Sequence, residues 1–197
     1  MRSILAGIVL AVMLTGCDAE KPSETEKPSE TEKPSETEKP SETEKPSETE
    51  KPSGAEMLFE QGSAAYERGD YATALRLWRP LAERGDATAQ FAIGSRYEDG
   101  QGVPQSYAEA MKWYRLAAEQ GHAWAQFRLG MMYREGRGAP PDFVQAYMWL
   151  NLAASQFPTS QTDNRDSAIK NRDRAASKLT PAQIAEAQML AREWKPK

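Results

Sequence analysis

Few side chains in this 197-residue sequence are of the types that form reactive sites. The chain has one cysteine, Cys17, and one histidine, His122. Catalysis and metal binding need several reactive groups or ligands held within reach of one another, and a single thiol also excludes an intramolecular disulfide. His122 stands where the preceding segment has Asp86, at the start of a helical pattern, and is interpreted as a helix cap. The adjacent acids Glu98 and Asp99 are interpreted as part of a solvated helix face. We therefore expect no enzyme activity, no metal and no cofactor.

Cys17 follows a segment with the layout of a secretory signal. Arg2 supplies a positive charge, residues 4–14 form an uncharged apolar run, and the small residues Thr15 and Gly16 precede the cysteine. The apolar run is too short to cross a bilayer, which takes about 20 residues. We expect residues 1–16 to be a signal peptide that is removed.

The sequence Leu14-Thr15-Gly16-Cys17 resembles the bacterial lipobox. The resemblance implies cleavage between Gly16 and Cys17, lipidation of Cys17, and a membrane anchor in the bacterial cell envelope that faces the periplasm. A thiolate is the nucleophile that thioether formation needs, and two or more acyl chains anchor a protein stably. Asp18 resembles a signal that retains some lipoproteins in the inner membrane, but the choice between inner and outer membrane stays open. A chance match within an ordinary signal peptide is the alternative.

Residues 21–53 contain five copies of KPSETE followed by KPS. Proline recurs every sixth residue and every other side chain is polar or charged, a composition typical of disordered chains. We expect residues 17–54 to be the lipidated cysteine followed by a disordered linker that holds the anchor and the folded region apart; a segment of no selected length is the alternative. The stretch 18–53 has six lysines and twelve acidic residues, so residues 54–197 carry a net charge of only +1. No nucleic-acid partner is expected, because no basic surface would neutralise phosphates.

The region after this linker repeats with a period of 36 residues. Aligned without gaps, residues 87–122 and 123–158 are identical at 15 of 36 positions. Apolar and small residues recur at the three- and four-residue spacing of a helix face. A Gly-x-Gly-x-Pro turn interrupts this pattern once in each copy, and Ser106-x-x-Glu109 is typical of a capping box that opens the next helix, with Asp142 at the equivalent position. Each unit is thus predicted to be a helix, a glycine-containing turn and a second helix.

These residues resemble the Sel1-like repeat, a relative of the tetratricopeptide repeat. The shared pattern is A-x-A-Q-F-x-[IL]-G-x-x-Y-x-x-G-x-G-x-P followed by A-x-x-W-x-x-x-A-A, which residues 87–156 match almost fully. Ser106 stands where the family usually has Asp, and Leu150 replaces the aromatic residue seen as Tyr114. The resemblance implies an all-α fold, a right-handed α-α superhelical solenoid of helical hairpins, preceded by the disordered tail.

The expected solenoid covers residues 55–197. Residues 55–86 resemble a tetratricopeptide unit with a shorter turn, and residues 159–197 are predicted to be capping helices. One of these should lie near 165–178, after a polar loop at 157–164, and the next should open at Thr180 with Pro181 and Gln183. The apolar face of the last helix should then cover the last repeat through Ile184, Ala187, Met189, Leu190 and Trp194. We therefore expect eight helices in four hairpins.

By analogy with tetratricopeptide proteins, the first helix of each unit should line a concave surface. Positions on that surface that differ between the repeats are not fixed by the fold. Trp124 and Met131 are the sharper candidates for binding, because Thr88 and Ser95 occupy the equivalent positions. For Phe91 and Phe127, which recur, packing between repeats is the favoured alternative. The candidate protein-binding residues are Phe59, Tyr66, Phe91, Trp124, Phe127, Met131 and Arg134.

The expected function is a membrane-anchored periplasmic scaffold that binds a protein or peptide partner through this surface. An immunity protein that neutralises an envelope-targeting effector is a narrower alternative, since some Sel1-like lipoproteins act in this way. A cell-wall-binding or hydrolytic protein is a third class. The partner's identity and the oligomeric state stay open.

Overall fold

The computed structural model describes residues 53–197, and the structural statements below concern that part of the chain. The signal peptide, Cys17 and nearly all of the KPSETE tract lie outside the described residues, so the predictions made for them stay predictions. Residues 53–197 form eight helices and no strand: α1 (Gly54–Glu67), α2 (Tyr71–Glu83), α3 (Ala87–Asp99), α4 (Tyr107–Glu119), α5 (Ala123–Glu135), α6 (Phe143–Gln156), α7 (Thr162–Ala176) and α8 (Pro181–Glu193). The predicted all-α solenoid is confirmed.

Short polar side chains begin most of these helices. The carboxylates of Asp86 and Asp142 accept the backbone N–H groups three residues later, which satisfies donors that a helix leaves free at its start. Thr180 and Gln183 form the predicted capping box at α8. The box predicted at Ser106 is only half formed: its hydroxyl accepts the Glu109 N–H at 3.3 Å, but the Glu109 carboxylate pairs with Lys112.

Within the first three units, α1 packs on α2, α3 on α4 and α5 on α6, and each pair then stacks on the next. A glycine on each first helix makes the close approach possible. A β-carbon added to Gly94 would lie 2.8 Å from the Tyr114 ring, and one added to Gly130 would lie 2.7 Å from Leu150 Cγ. The repeated glycine therefore sets how closely the two helices of a hairpin can lie.

The second glycine of the turn joins consecutive units. Gly138 has a φ of +81° and lies so close to the start of α4 that a β-carbon would be 2.5 Å from the Tyr107 carbonyl oxygen. Any side chain at this position would meet both a strained backbone and a backbone clash. The turn is thus a packing element between repeats.

The last two helices do not form a fourth hairpin, so that prediction was wrong. α8 packs against α6, whereas α7 and α8 have hardly any contact. The buried face of α7 consists of Ala168, Asn171 and Ala175, and its other residues are mostly charged and exposed. The apolar residues of α8 therefore lie against α6, where Trp194 meets Trp149 with 6.4 Å between ring centroids.

Two details of the C-terminal region also differ from the prediction. α7 begins at Thr162, which shortens the polar loop predicted at 157–164. Met189 is exposed, because it lies about 200° around the helix from the buried Ala187. No helix within residues 53–197 is both long and apolar enough to cross a membrane.

Candidate interaction surface

Side-chain contacts join successive first helices along one side of the solenoid. α1, α3, α5 and α7 follow one another there, and we call this side the first-helix face. Three pairs make the connections: Arg96 lies over the ring of Tyr66, Arg128 pairs with Glu98, and Arg134 donates a hydrogen bond to Asn171. The candidate binding residues predicted from the sequence come from the three helices that open the repeats on this face.

Glu98 is buried, which corrects its interpretation as part of a solvated face; only Asp99 is exposed. The Glu98 side chain is 6% exposed and accepts hydrogen bonds from the Tyr114 hydroxyl at 2.8 Å and from Arg128 Nε at 3.0 Å. Burial and the nearby Glu98 carboxylate hold the pKa of Tyr114 well above its ordinary value. A buried carboxylate needs such partners, so this cluster has a structural explanation.

The sequence carried a signal for this cluster that went unused. At the 36-residue offset Glu98 corresponds to Arg134, and Tyr114 corresponds to Leu150. The acid and the hydroxyl are thus both absent from the next repeat. Two positions that change together between copies are candidates for a pair in contact.

A pair of buried glutamines also went unassigned. The side-chain amide of Gln90 donates to the Ala82 carbonyl at 3.0 Å, and that of Gln126 donates to the Ala118 carbonyl at 3.2 Å. Each amide thereby satisfies a carbonyl near the end of the preceding unit's second helix. Both repeats have a glutamine at this position because of this packing role, and no binding role is needed to explain it.

The three candidate phenylalanines lie partly buried within the solenoid. Phe59 stacks on Trp78 of its own hairpin, and Phe91 lies between Tyr114 and the His122 ring, 4.8 Å from the latter. Phe127 packs beside Phe157. For Phe91 and Phe127 these contacts are the packing between repeats that was the favoured alternative to binding.

Tyr66 and Arg134 are also engaged within the fold. Tyr66 is 36% exposed, and one face of its ring is covered by the Arg96 guanidinium 4.1 Å from the ring centre. The Arg134 side chain is only 17% exposed and contacts both Asn171 and Glu135. A binding role for these two residues stays a prediction.

Trp124 has the most exposed indole within residues 53–197. It is 39% exposed, and its ring stands edge-on to Phe157 at 5.1 Å and to Phe127 at 6.0 Å between centroids. Met131 lies two turns further along α5 and is partly exposed. We call Trp124, Phe127 and Phe157 the Trp124 cluster. It offers a large apolar ring whose position is fixed by its neighbours.

His122 acts as a helix cap, as the sequence indicated. Its Nδ1 accepts the Ala125 N–H at 3.2 Å, and burial lowers its pKa. Both observations favour the neutral form of the imidazole at the helix start. No group of acids, histidines or cysteines in the described part of the chain could hold a metal ion.

Comparisons with known proteins agree with this architecture. The Sel1 repeat family matches residues 54–86, 87–122 and 125–156. A solved structure with an SLR fold, from a protective antigen present in uropathogenic Escherichia coli strains, is 30% identical over 72% of this chain, with a TM-score of 0.64. That match covers 30% of the antigen's own chain, so the present chain spans less than a third of its length.

A second solved structure, a Sel1 repeat protein from Oxalobacter formigenes, is 31% identical. The match covers 58% of this chain and 89% of that one, with a TM-score of 0.50. No curated protein matches the sequence. Sel1 repeat proteins are generally non-catalytic scaffolds that bind protein partners. Three matched repeats, together with the stacked hairpins and their shared glycines, show that this chain belongs to the Sel1 repeat family.

Proposed function

We propose that this protein is a lipid-anchored scaffold of the bacterial envelope that binds a protein or peptide partner on its first-helix face. Exposure of Trp124 is the observation that carries the proposal. The equivalent residue in the preceding repeat is Thr88, which is also exposed, so the fold does not require an indole at this position. An exposed indole that packing does not demand is the kind of residue that anchors protein interfaces.

The surroundings of Trp124 favour a preformed site. Phe157 is buried and holds the indole from the side, so little side-chain freedom remains to be lost on binding. Arg128 lies one turn further along α5, and its side chain is 38% exposed. A partner segment with an apolar side chain followed by a hydrogen-bond acceptor fits this arrangement. A hydroxyl or carboxylate oxygen would supply the acceptor.

The anchoring part of the proposal rests on the lipobox-like sequence that ends at Cys17. Two or more acyl chains on this residue would hold the protein at a membrane. The 33 residues of the KPSETE tract reach roughly 100 Å if extended at about 3.1 Å per residue. The scaffold could therefore bind partners well away from the membrane surface.

Site-specific crosslinking in intact cells tests the binding surface. An aromatic photoreactive amino acid, which keeps a large ring in place of the Trp124 indole, should give a discrete crosslinked species in the full-length protein, and the same group at the exposed Met189 of α8 should not. Equal yields from both positions would contradict a site on the first-helix face. Mass spectrometry of the species identifies the partner, and an envelope-targeting effector would indicate an immunity protein.

Lipidation is tested separately. The full-length protein should incorporate labelled fatty acid and fractionate with membranes, and Cys17→Ser should do neither. A Cys17→Ser variant that stays in the membrane fraction would contradict the anchor without bearing on the first-helix face.

A further inference from the structure

The outer side of the second helices carries a repeated apolar position that is covered in one unit and bare in another. Leu116 of α4 corresponds to Leu152 of α6 at the 36-residue offset. Leu152 is 6% exposed and lies in the same buried cluster as Ala187 and Ala191 of α8. Leu116 is 46% exposed. Within residues 53–197, the same surface of the repeat therefore has a helix against it in the last unit and none in the unit before.

The positions around these two leucines follow the same pattern. Met148 is buried beside Leu152, whereas its equivalent, Lys112, is exposed. The bare surface forms a groove of about 470 Å³. Its lining residues are Ala108, Met111, Lys112, Arg115, Leu116 and Gly138, and we call it the α4 groove.

The fold itself does not require a leucine at this position. The equivalent residue of α2 is Pro80, which is exposed and is not covered by any helix in the described part of the chain. An exposed leucine beside a buried methionine is therefore a feature of the second repeat and not of the solenoid in general.

We propose that the α4 groove binds an amphipathic helix of a partner protein, in the way that α8 covers α6. α8 shows what such a helix needs. Its contact face has the small residues Ala187 and Ala191, which permit close approach, and Gln188 reaches the Tyr147 hydroxyl at 3.2 Å. Tyr147 corresponds to Met111 of the groove.

Charge distinguishes the partner helix from α8. α6 has the uncharged Met148 and Asn151 where α4 has Lys112 and Arg115. Lys112 pairs with Glu109 and Arg115 donates to the Tyr133 hydroxyl, so one net positive charge remains beside the groove. The partner helix should therefore have acidic residues beside its apolar face. A second copy of this chain is disfavoured, because a symmetric contact through Leu116 would bring these cations together across the axis.

The α8 sequence itself supplies the probe. Two labelled peptides span residues 180–194, an acidic form with Gln188→Glu and Arg192→Glu and a basic form with Gln188→Lys. Their binding to the full-length protein in detergent is measured by fluorescence anisotropy. The acidic form should bind about three- to tenfold more tightly at low salt, and the difference should shrink as salt is added.

Variants of the protein locate the binding. Leu116→Lys should weaken the acidic peptide by about tenfold or more, since it removes the apolar contact and places a charged ammonium against the apolar face of the helix. Met57→Lys, at an equally exposed apolar residue of α1, should leave it unchanged. Lys112→Glu should remove most of the preference for the acidic form. The thermal unfolding of each variant confirms that it is folded.

Four outcomes would overturn the proposal. Binding that survives Leu116→Lys would mean that the peptide exchanges with α8 on α6 and not that it occupies the groove. Equal binding of both peptides would contradict an acidic partner helix. No binding of either peptide would contradict a groove that binds a helix. A concentration-dependent dimer that Leu116→Lys abolishes would make a second copy the occupant.

Discussion

The guanidinium of Arg128 lies 2.6 Å from the carboxylate of Glu98, and this ion pair joins the first helices of two neighbouring repeats. Glu98 is buried and also accepts the Tyr114 hydroxyl. The acid thus links three helices, since Tyr114 comes from α4 and Arg128 from α5. It does so at a position where the next repeat has an arginine.

Loss of the Glu98 carboxylate should destabilise the solenoid. Glu98→Ala leaves the buried Tyr114 hydroxyl without its acceptor and Arg128 without its counter-ion, so the free energy of unfolding should fall by about 2–4 kcal/mol. Urea denaturation measures this change. Glu109→Ala, which breaks an exposed pair with Lys112 on α4, is the control and should cost about 0–1 kcal/mol. Similar costs for both variants would contradict the role given to Glu98.

The close approach of α5 and α6 predicts a strong effect at Gly130. Gly130→Ala places a β-carbon 2.7 Å from Leu150 Cγ and 3.2 Å from the Ala146 carbonyl oxygen, so the helices must separate. We expect a loss of about 1–3 kcal/mol in the free energy of unfolding. Gly54→Ala meets no atom within 4 Å and should be close to neutral.

A double-mutant cycle separates this clash from other effects. In a Leu150→Ala background part of the space at Gly130 is free, so Gly130→Ala should cost less than it does in the natural sequence. Strict additivity of the two substitutions would show that Leu150 is not the residue that excludes a side chain at Gly130.

His122 predicts a specific pH dependence. Its folded-state pKa is lowered by burial, and protonation would place a hydrogen on the Nδ1 that accepts the Ala125 N–H. Its contribution to stability is therefore present above the ordinary histidine pKa of about 6.5 and is lost as the pH falls through the lower folded-state value. His122→Asp restores the cap that Asp86 provides and should remove this component. Denaturation curves between pH 7 and 5 give the comparison, and an unchanged pH profile in the variant would contradict it.

The local structure was predictable because the short-range residue patterns that determine it occur in both repeats. Gly94 and Gly130 recur because a hairpin needs close approach, and Asp142 begins a helix through a contact made within four residues. Such short-range signals survive in the sequence. They gave the helices, the turns and the order of the repeats.

What the sequence did not reveal depends on contacts between distant residues. Glu98 looked solvated because its partner Arg128 lies 30 positions away on another helix. α8 was expected to pair with its neighbour α7, but the charged surface of α7 offers no apolar stripe and α6 does. The exposure of Trp124 could be expected from Thr88 at the equivalent position, whereas the support from Phe157 could not.

The KPSETE tract predicts an effect of length alone. Deletion of residues 27–50 removes four copies and leaves nine residues of the tract, which extend to roughly 30 Å. The thermal stability of the folded region and the affinity for an isolated partner should not change. Crosslinking through Trp124 in cells should fall, because the scaffold reaches less far from its anchor. Undiminished crosslinking would show that reach does not matter.

Affinity for the crosslinked partner, measured with and without Trp124 and Met131, tests the central claim most directly. The double variant Trp124→Ala, Met131→Ala should bind the partner about tenfold to a hundredfold more weakly. It should remain folded, with a modest fall in unfolding temperature, because the Trp124 indole also packs against Phe157. The control pair Met57→Ala, Met189→Ala removes exposed apolar side chains from α1 and α8 and should bind normally. An undiminished affinity in the Trp124, Met131 variant would contradict binding through the first-helix face.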